Sequence, residues 1–429
     1  MTLPPDDPQR RELNDEVHAR PPGALDCPTR VSYLALRIDP ADQARETALL
    51  AELARQHNQP EPQSSDTHYT ADMGSFRLRW ERHTEFTRYM IVATATQTDP
   101  FAAPAISLLD DAWLAQLPGH TMNAVHLALV AGNFVSGQEG LLAERYFSNN
   151  ILIGAQVAGG SGAAFTDWRI RPDGFSRMLV YNGSMTALQA GRIVQRLLEI
   201  DTYRVMALLA LPVARELAPF LLRSESELAE VTNTLINATD PDEPRLLQRL
   251  MGLQAELENR ESLNNFRFGA AAAYHDVVQR RIAELRERRL EGLQTFKEFT
   301  ERRLVPAMNT CAAVARRQDS LSQRMARATQ LLSTRVDIGR AQGNQALLRS
   351  MDRRSALQIR LQQTVEGLSV AAITYYVVSL VKYAAETLAK YVPGVDSAVV
   401  TTLSIPLVGL TVWLLIRRVR RFVERDGED

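Results

Sequence analysis

Only two cysteines, Cys27 and Cys311, occur in 429 residues, too few for a disulfide framework or a cysteine-built zinc site. The opening stretch, MTLPPDDPQRRELNDEVHARPPGAL, has no apolar run of the kind a secretory signal needs, and its proline and acid content reads as an extended arm. No His-Glu-x-x-His, nucleophile elbow or Cys-x-x-Cys is present. Gly159-Gly160-Ser161-Gly162 follows a strand but lacks the Gly-Lys-Ser/Thr ending of a phosphate loop, so it reads as a hairpin or bulge. These absences set the expectation of a protein that is not an enzyme, with no catalytic, cofactor-binding or metal-ligating residues and no cofactor.

Hydrophobic residues make up 45% and charged residues 23%, which excludes extensive disorder. The net charge of −1 hides a segregation. Residues 1–244 carry 31 acids against 20 arginines, net −11, while residues 245–365 carry 22 bases against 12 acids, net +10. Such a pattern points to mutual docking or to a nearby anionic surface.

Proline is also scarce where it matters. Between Arg245 and Tyr391 only Pro306 interrupts a stretch rich in Leu, Ala, Arg, Gln and Glu, which predicts three or four long helices with Gly292, Pro306 and Gly339 as breaks. The arginines alternate with acids at helical spacing, which favours solvated ion-paired faces, and nucleic acid is not an expected partner. At the C-terminus, Ala398 to Ile416 runs nineteen residues without a charge, about 28 Å as a helix and close to the bilayer core. Leu368 to Ala389 precedes it and is free of charge only to Val381, with Lys382 and Glu386 placed to pair one turn apart. Arg353, Arg354 and Arg360 precede the first run, and Arg417, Arg418, Arg420 and Arg421 follow the second. The positive-inside rule then puts both flanks in the cytoplasm and the short turn outside. Thr374, Ser379, Lys382 and Glu386 are the polar residues of the first span and candidate pore-lining groups.

Residues 28–185 alternate in character. Strands are expected over 30–38, twice within 74–96, and over 122–132, 150–160, 163–171 and 176–182, a sheet of about six strands. Residues 40–58 read as an amphipathic helix, and Pro172-Asp173-Gly174 as a hairpin turn. A helix follows from Thr186, kinked at Pro212. The fold class is an α+β N-terminal domain with a mixed sheet, then a helical stalk and a two-helix transmembrane hairpin. The expected divisions are an arm (1–27), the α+β domain (28–185), a helical bundle or stalk (186–365), the hairpin (366–416) and a cytoplasmic tail (417–429). One polar cluster stands out: Glu81, His83 and Glu85 around a strand turn, with His18 and Arg20 as neighbours from the arm. Histidine between carboxylates suits a general base or half a metal site, but a hydrogen-bonded network pinning the arm is the plainer reading.

Several segments resemble a known family. LNDEVHARPP (13–22), FRLRWERHTEF (76–86), GRIVQRLLEIDTYRVMALLALPVAR (191–215), RRLVPAMNTCAAVARRQ (302–318) and RSMDRRSALQIRLQQTVEGLSVAAITYY (349–376) are similar to the bacterial membrane-anchored proteins of domain of unknown function 3422. That resemblance implies a bacterial inner-membrane protein with no assigned reaction. In layout alone the chain is similar to the CorA-type cation channels, but the Gly-Met-Asn tripeptide of those proteins is absent; here the region reads Tyr375-Tyr376-Val377-Val378. The expectation is an oligomeric scaffold or regulator at the inner membrane, with the lipid bilayer and copies of itself as partners. The alternative is a CorA-like ion channel lacking that filter.

Overall fold

The computed structural model describes residues 6–11, 13–14, 23–97, 99–237, 242–388 and 396–425. They form two compact units, residues 1–237 with 245–329, and residues 238–244 with 330–429.

The first unit is built on a mixed nine-stranded sheet. Its strands are β1 (Thr29–Arg37), β2 (His68–Asp72), β3 (Arg77–Arg82), β4 (Thr87–Thr94), β5 (His120–Ala131), β6 (Ile153–Val157), β7 (Gly162–Thr166), β8 (Ser176–Asn182) and β9 (Arg288–Arg289). They lie in the order β2-β3-β4-β1-β5-β8-β7-β6-β9. Every named pair is antiparallel except β5 with β8, where Val125 faces Ser176 and Ala131 faces Asn182. The sheet therefore holds nine strands where about six are expected, and two of them lie outside every expected run. The added strands are β2, a polar five-residue edge, and β9, a two-residue pairing with Ala155 and Gln156.

Strand alternation divides the core between the two faces. Val31, Tyr33 and Ala35 of β1, with Val125, Leu127 and Leu129 of β5, join one cluster. Leu34 and Leu36 point the other way, with Trp80 and Tyr89, onto Leu50 and Leu53 of α1 (Gln43–Gln56) and Trp113 of α2 (Asp111–Gln116). A third cluster gathers Leu142 and Tyr146 of α3 (Glu139–Tyr146) with Phe147 and Phe165. The first cluster lies under α4 (Ala187–Leu208), α5 (Ala210–Asn237), α6 (Glu243–Leu285) and the start of α7 (Phe296–Leu388). Sheet and helices up to Thr329 thus share one compact unit, although secondary structure changes near residue 186.

Local chemistry accounts for the boundaries. Thr186 and Gln189 close a reciprocal capping box at the start of α4. The expected kink at Pro212 falls one turn earlier, between Leu208 and Ala210, because Pro212 has no N–H for the Leu208 carbonyl and its ring crowds that oxygen. Gly292 turns the chain between α6 and α7 with φ +80°, whereas Pro306 and Gly339 are carried inside α7. The glycine run at 159–162 forms the tight connection between antiparallel β6 and β7, as its missing phosphate-loop ending suggests.

The second unit consists of the first residues of α6, where Glu243 pairs with Arg335 at 2.5 Å, the remainder of α7, and α8 (Ser397–Arg425). The less exposed residues of α8 fall on one stripe, Ser397, Thr401, Ser404, Val408, Gly409, Val412 and Ile416. In the apolar end of α7 a similar stripe runs through Glu366, Val370, Thr374, Val377, Val381 and Ala385, with Val378 and Ser379 half-buried beside it. A Cβ added at Gly409 would lie 3.9 Å from the Thr374 methyl. Leu403, Leu407, Leu415, Leu380 and Tyr376 face outward.

Candidate functional site

The residues singled out from the sequence converge only in part. Glu81 is the penultimate residue of β3 and is 1% exposed. The Arg79 Nε donates to its Oε1 at 2.5 Å and the Arg88 Nε to its Oε2 at 2.9 Å. Burial opposes ionisation of Glu81, but Arg88 and Arg79 outweigh it and hold the carboxyl below the usual carboxylate range. Glu85 sits beyond the strand end, paired with Arg267 and accepting the Tyr274 hydroxyl at 2.6 Å. Burial and the Glu85 carboxylate push that phenol up. His83 stacks on Phe86 at 4.6 Å, its Nε2 3.8 Å from Glu81. His18 and Arg20 lie outside the described residues.

Long-range partners enlarge the cluster into an alternating chain of charges. Arg88 Nη1 reaches Glu199 Oε1 of α4 at 3.3 Å, and the Arg281 Nε of α6 donates to Glu199 Oε2 at 2.5 Å. Arg281 and Arg196 then share Glu284 at 3.0 and 2.9 Å. The sheet and two helices are clamped by this series. Its carboxylate oxygens are held by guanidinium or phenol donors, so Glu81 and Glu85 are poorly placed to abstract a proton. The arrangement suits fastening rather than acid–base chemistry.

A second anchor escaped sequence reading. Glu46 of α1, 0% exposed, accepts from Trp80 Nε1 at 2.9 Å and the Tyr89 hydroxyl at 2.8 Å, and pairs with Arg82 at 3.0 Å. An acid on an amphipathic helix looks solvent-facing until its partners are known. Ser32 and His126 form another buried polar pair, 3.0 Å apart. The Ser32 Oγ also accepts the Ile106 N–H at 3.0 Å, so it bridges that backbone group and the imidazole. His126 is sandwiched on Phe175 at 3.8 Å, and burial lowers its pKa to about 4. Ser32 is 0% exposed, which leaves no approach for a substrate. Glu287, whose Oε2 accepts the Lys297 N–H at 3.3 Å at the start of α7, is pushed up to about 7 by burial.

Several clefts open on this unit, among them one of about 470 Å³ edged by His83, Phe86, Tyr203 and Tyr274 and two larger ones. One of about 520 Å³ lies beside Glu81, edged by Gly23, His68, Tyr69, Arg77 and Arg79. The other, about 620 Å³, is lined by Trp168, Phe299, Thr300, Arg169, Arg204 and Arg303. There Trp168 adopts φ +46°, and its indole N–H and the Thr300 hydroxyl have no hydrogen-bond partner among the described residues. A cationic rim over an aromatic floor suits an anionic group on an apolar body. Among the described residues no group of three or more His, Cys, Asp or Glu is arranged to hold a metal.

The span residues behave differently. Thr374 and Ser379 return their hydroxyls to the Val370 and Tyr375 carbonyls of their own helix, both at 2.8 Å, and Lys382 lies 3.9 Å from Glu386. Three helical stretches are long and apolar enough to cross a membrane: Ala187–Ile236, Phe296–Leu388 and Ser397–Arg418. In the first, 39% of the most apolar window is buried, against 0% and 11% in the others. Ala187–Ile236 therefore spends its apolarity on the core under the sheet, and the other two leave theirs outward. With that contrast the family resemblance can be set beside the fold. A family described as "Protein of unknown function (DUF3422)" matches residues 5–423. The chain belongs to this family. No curated protein matches it.

Proposed function

We propose that this family member is a cytoplasmic protein anchored in the bacterial inner membrane by a hairpin of the end of α7 and α8, where it acts as an oligomeric scaffold or regulator. The observation that carries this reading is the inverted exposure of the helix pair. Ser404, Ala385 and Val408 are shielded, while Leu403, Leu407, Leu415 and Tyr376 face outward. In water that arrangement exposes apolar surface at roughly 25 cal/mol per Å². In lipid the same surface carries no such cost, and small or hydroxylic residues are the ones that let helices approach. Arg417 stacks on Trp413 at 4.9 Å, an aromatic and a cation together at the end of the apolar run, as at a headgroup boundary. Moving one arginine to mid-bilayer costs about 2.5–3.5 kcal/mol, so the group after Ile416 keeps the tail inside. The scaffold or regulator role is supported by the saturated ion pairs of the polar cluster, which leave it fastening elements together.

Carbonate extraction and cysteine labelling test the anchor. The chain should stay in the membrane pellet at alkaline pH. In intact cells an impermeant thiol reagent should label Ser397→Cys and spare Gly427→Cys. Labelling at Gly427→Cys, or release by carbonate, would overturn the hairpin.

A further inference from the structure

Residues 340–365 of α7 are exposed without exception, about 39 Å of helix with no neighbour among the described residues. In proteins most helical stability comes from packing an apolar face rather than from propensity. This segment does carry such a face. Written as heptads with Asn344 at the first position, Leu347, Met351, Leu361, Val365 and Leu368 all fall on the a and d positions, each more than half exposed. The neighbouring e and g positions hold only Leu, Ser, Gln, Thr and Ala, so they contain no charge. Arg349, Asp352, Arg353, Arg360 and Glu366 are confined to b, c and f. The one exception is Arg354 at d.

From this pattern we propose that a second copy of the chain packs in parallel along this face of α7. The inference rests on the anchored reading, because a common membrane fixes both helices in the same direction and level. Three observations select a copy of the chain over another occupant. Parallel identical helices place Asn344 against Asn344 and Gln358 against Gln358, and each amide is both donor and acceptor, so the seam's polar positions complement themselves. The α7 stripe that lies against α8, through Thr374 and Ala385, is roughly 160° round the helix from Val365, so α8 leaves the seam open. Continued towards Leu388, the open face carries Tyr375, Tyr376 and Tyr383 and the Lys382–Glu386 pair, polar groups that lipid would leave poorly satisfied and a second helix would shelter.

Single cysteines in the full-length chain, oxidised in native membranes, test the seam. Leu347→Cys and Leu361→Cys lie at d, and Arg353→Cys and Gln363→Cys lie outside. All four positions are exposed and make no core contact, so folding is not at risk. The unsubstituted chain reports the background from Cys27 and Cys311, half-buried and buried. Covalent dimers should form at Leu347→Cys and Leu361→Cys at least ten-fold more than at the outer positions. Equal yields at all four, or adducts of a mass other than twice the chain, would overturn the proposal. A chain that stays in the carbonate-washed membrane without crosslinking at either d position breaks the seam and leaves the anchor. One that washes off yet still crosslinks at Leu361→Cys breaks the anchor and leaves the pairing.

Discussion

The two units bury opposite kinds of residue. In the sheet unit the least exposed large side chains are Trp80, Tyr33, Tyr89, Phe147 and Phe165, while in the helix pair Ala385, Ser404 and Val408 are shielded and the leucines face out. One chain with one set of side-chain volumes arrives at both patterns; on the anchored reading proposed above, the difference lies in the surroundings each part is built for. Where water is outside, size and apolarity drive burial; where lipid is outside, only close fit does.

The sharpest way to break the comparison is to unbalance the charge clamp, which only a dry interior makes costly. Arg88→Ala should destabilise the sheet unit by about 3–5 kcal/mol, because Glu81 and Glu199 lose a shared buried partner; chemical denaturation followed by tryptophan emission reads this. A loss under 1 kcal/mol would mean water reaches the network. Next comes one substitution made in both regions. Leu127→Ala, in the core at 1% exposure, should cost about 2–5 kcal/mol in the same assay. Leu407→Ala, 68% exposed, should leave that transition unmoved within about 0.5 kcal/mol, and equal losses would erase the contrast.

Two titrations sharpen it further. His126, at about 4 in the folded unit against 6.5 unfolded, binds its proton more weakly when native. Between those values the unfolded chain holds more protons, so stability should fall by about 2–3 kcal/mol as pH drops from 6.5 to 4, and His126→Phe should flatten that slope. Glu287 has the opposite sign. Its folded value of about 7 lies above the ordinary 4.5, so its protonated form favours the native state and stability should decline by about 1–2 kcal/mol as pH rises from 4.5 to 7. Glu287→Gln should remove that decline, measured by the same denaturation at each pH. The smallest effect belongs to the exposed helix: Arg354→Leu, which takes the charge off the d positions, should raise dimer yield of Leu361→Cys two- to five-fold.

Much of this was legible because it is local. Period-two apolar runs located β1, β3, β4, β5 and β8, and the near absence of proline announced α6 and α7. What depends on distance was not. The strand expected over 163–171 stops at Thr166 because Trp168 leaves the extended region, and β2 is too polar to announce itself. The parallel pairing of β5 with β8 joins segments about fifty residues apart and has no local signature. The Glu81–His83–Glu85 cluster was found by composition, but its role is set by Arg267, Tyr274, Glu199 and Arg281, supplied from helices far along the chain. Charge segregation gave the nearest hint, since those pairs join acids of the front half to arginines of the basic middle.

The clamp also imposes an order in time. Glu199 and its partner Arg281 are separated by 82 positions, and Glu85 and Arg267 by 182. At 5–20 residues per second of synthesis, roughly 4–16 s pass after Glu199 is made before Arg281 is added. During most of that interval Glu85 of the nascent chain has no counter-ion and Glu199 has only Arg88, so the sheet can meet α4 but cannot yet be clamped to α6. The apolar helix pair is made later still. A ribosome paused between residues 200 and 280 would therefore hold a sheet still open to water, well before any segment able to enter a bilayer from the C-terminal end had been made.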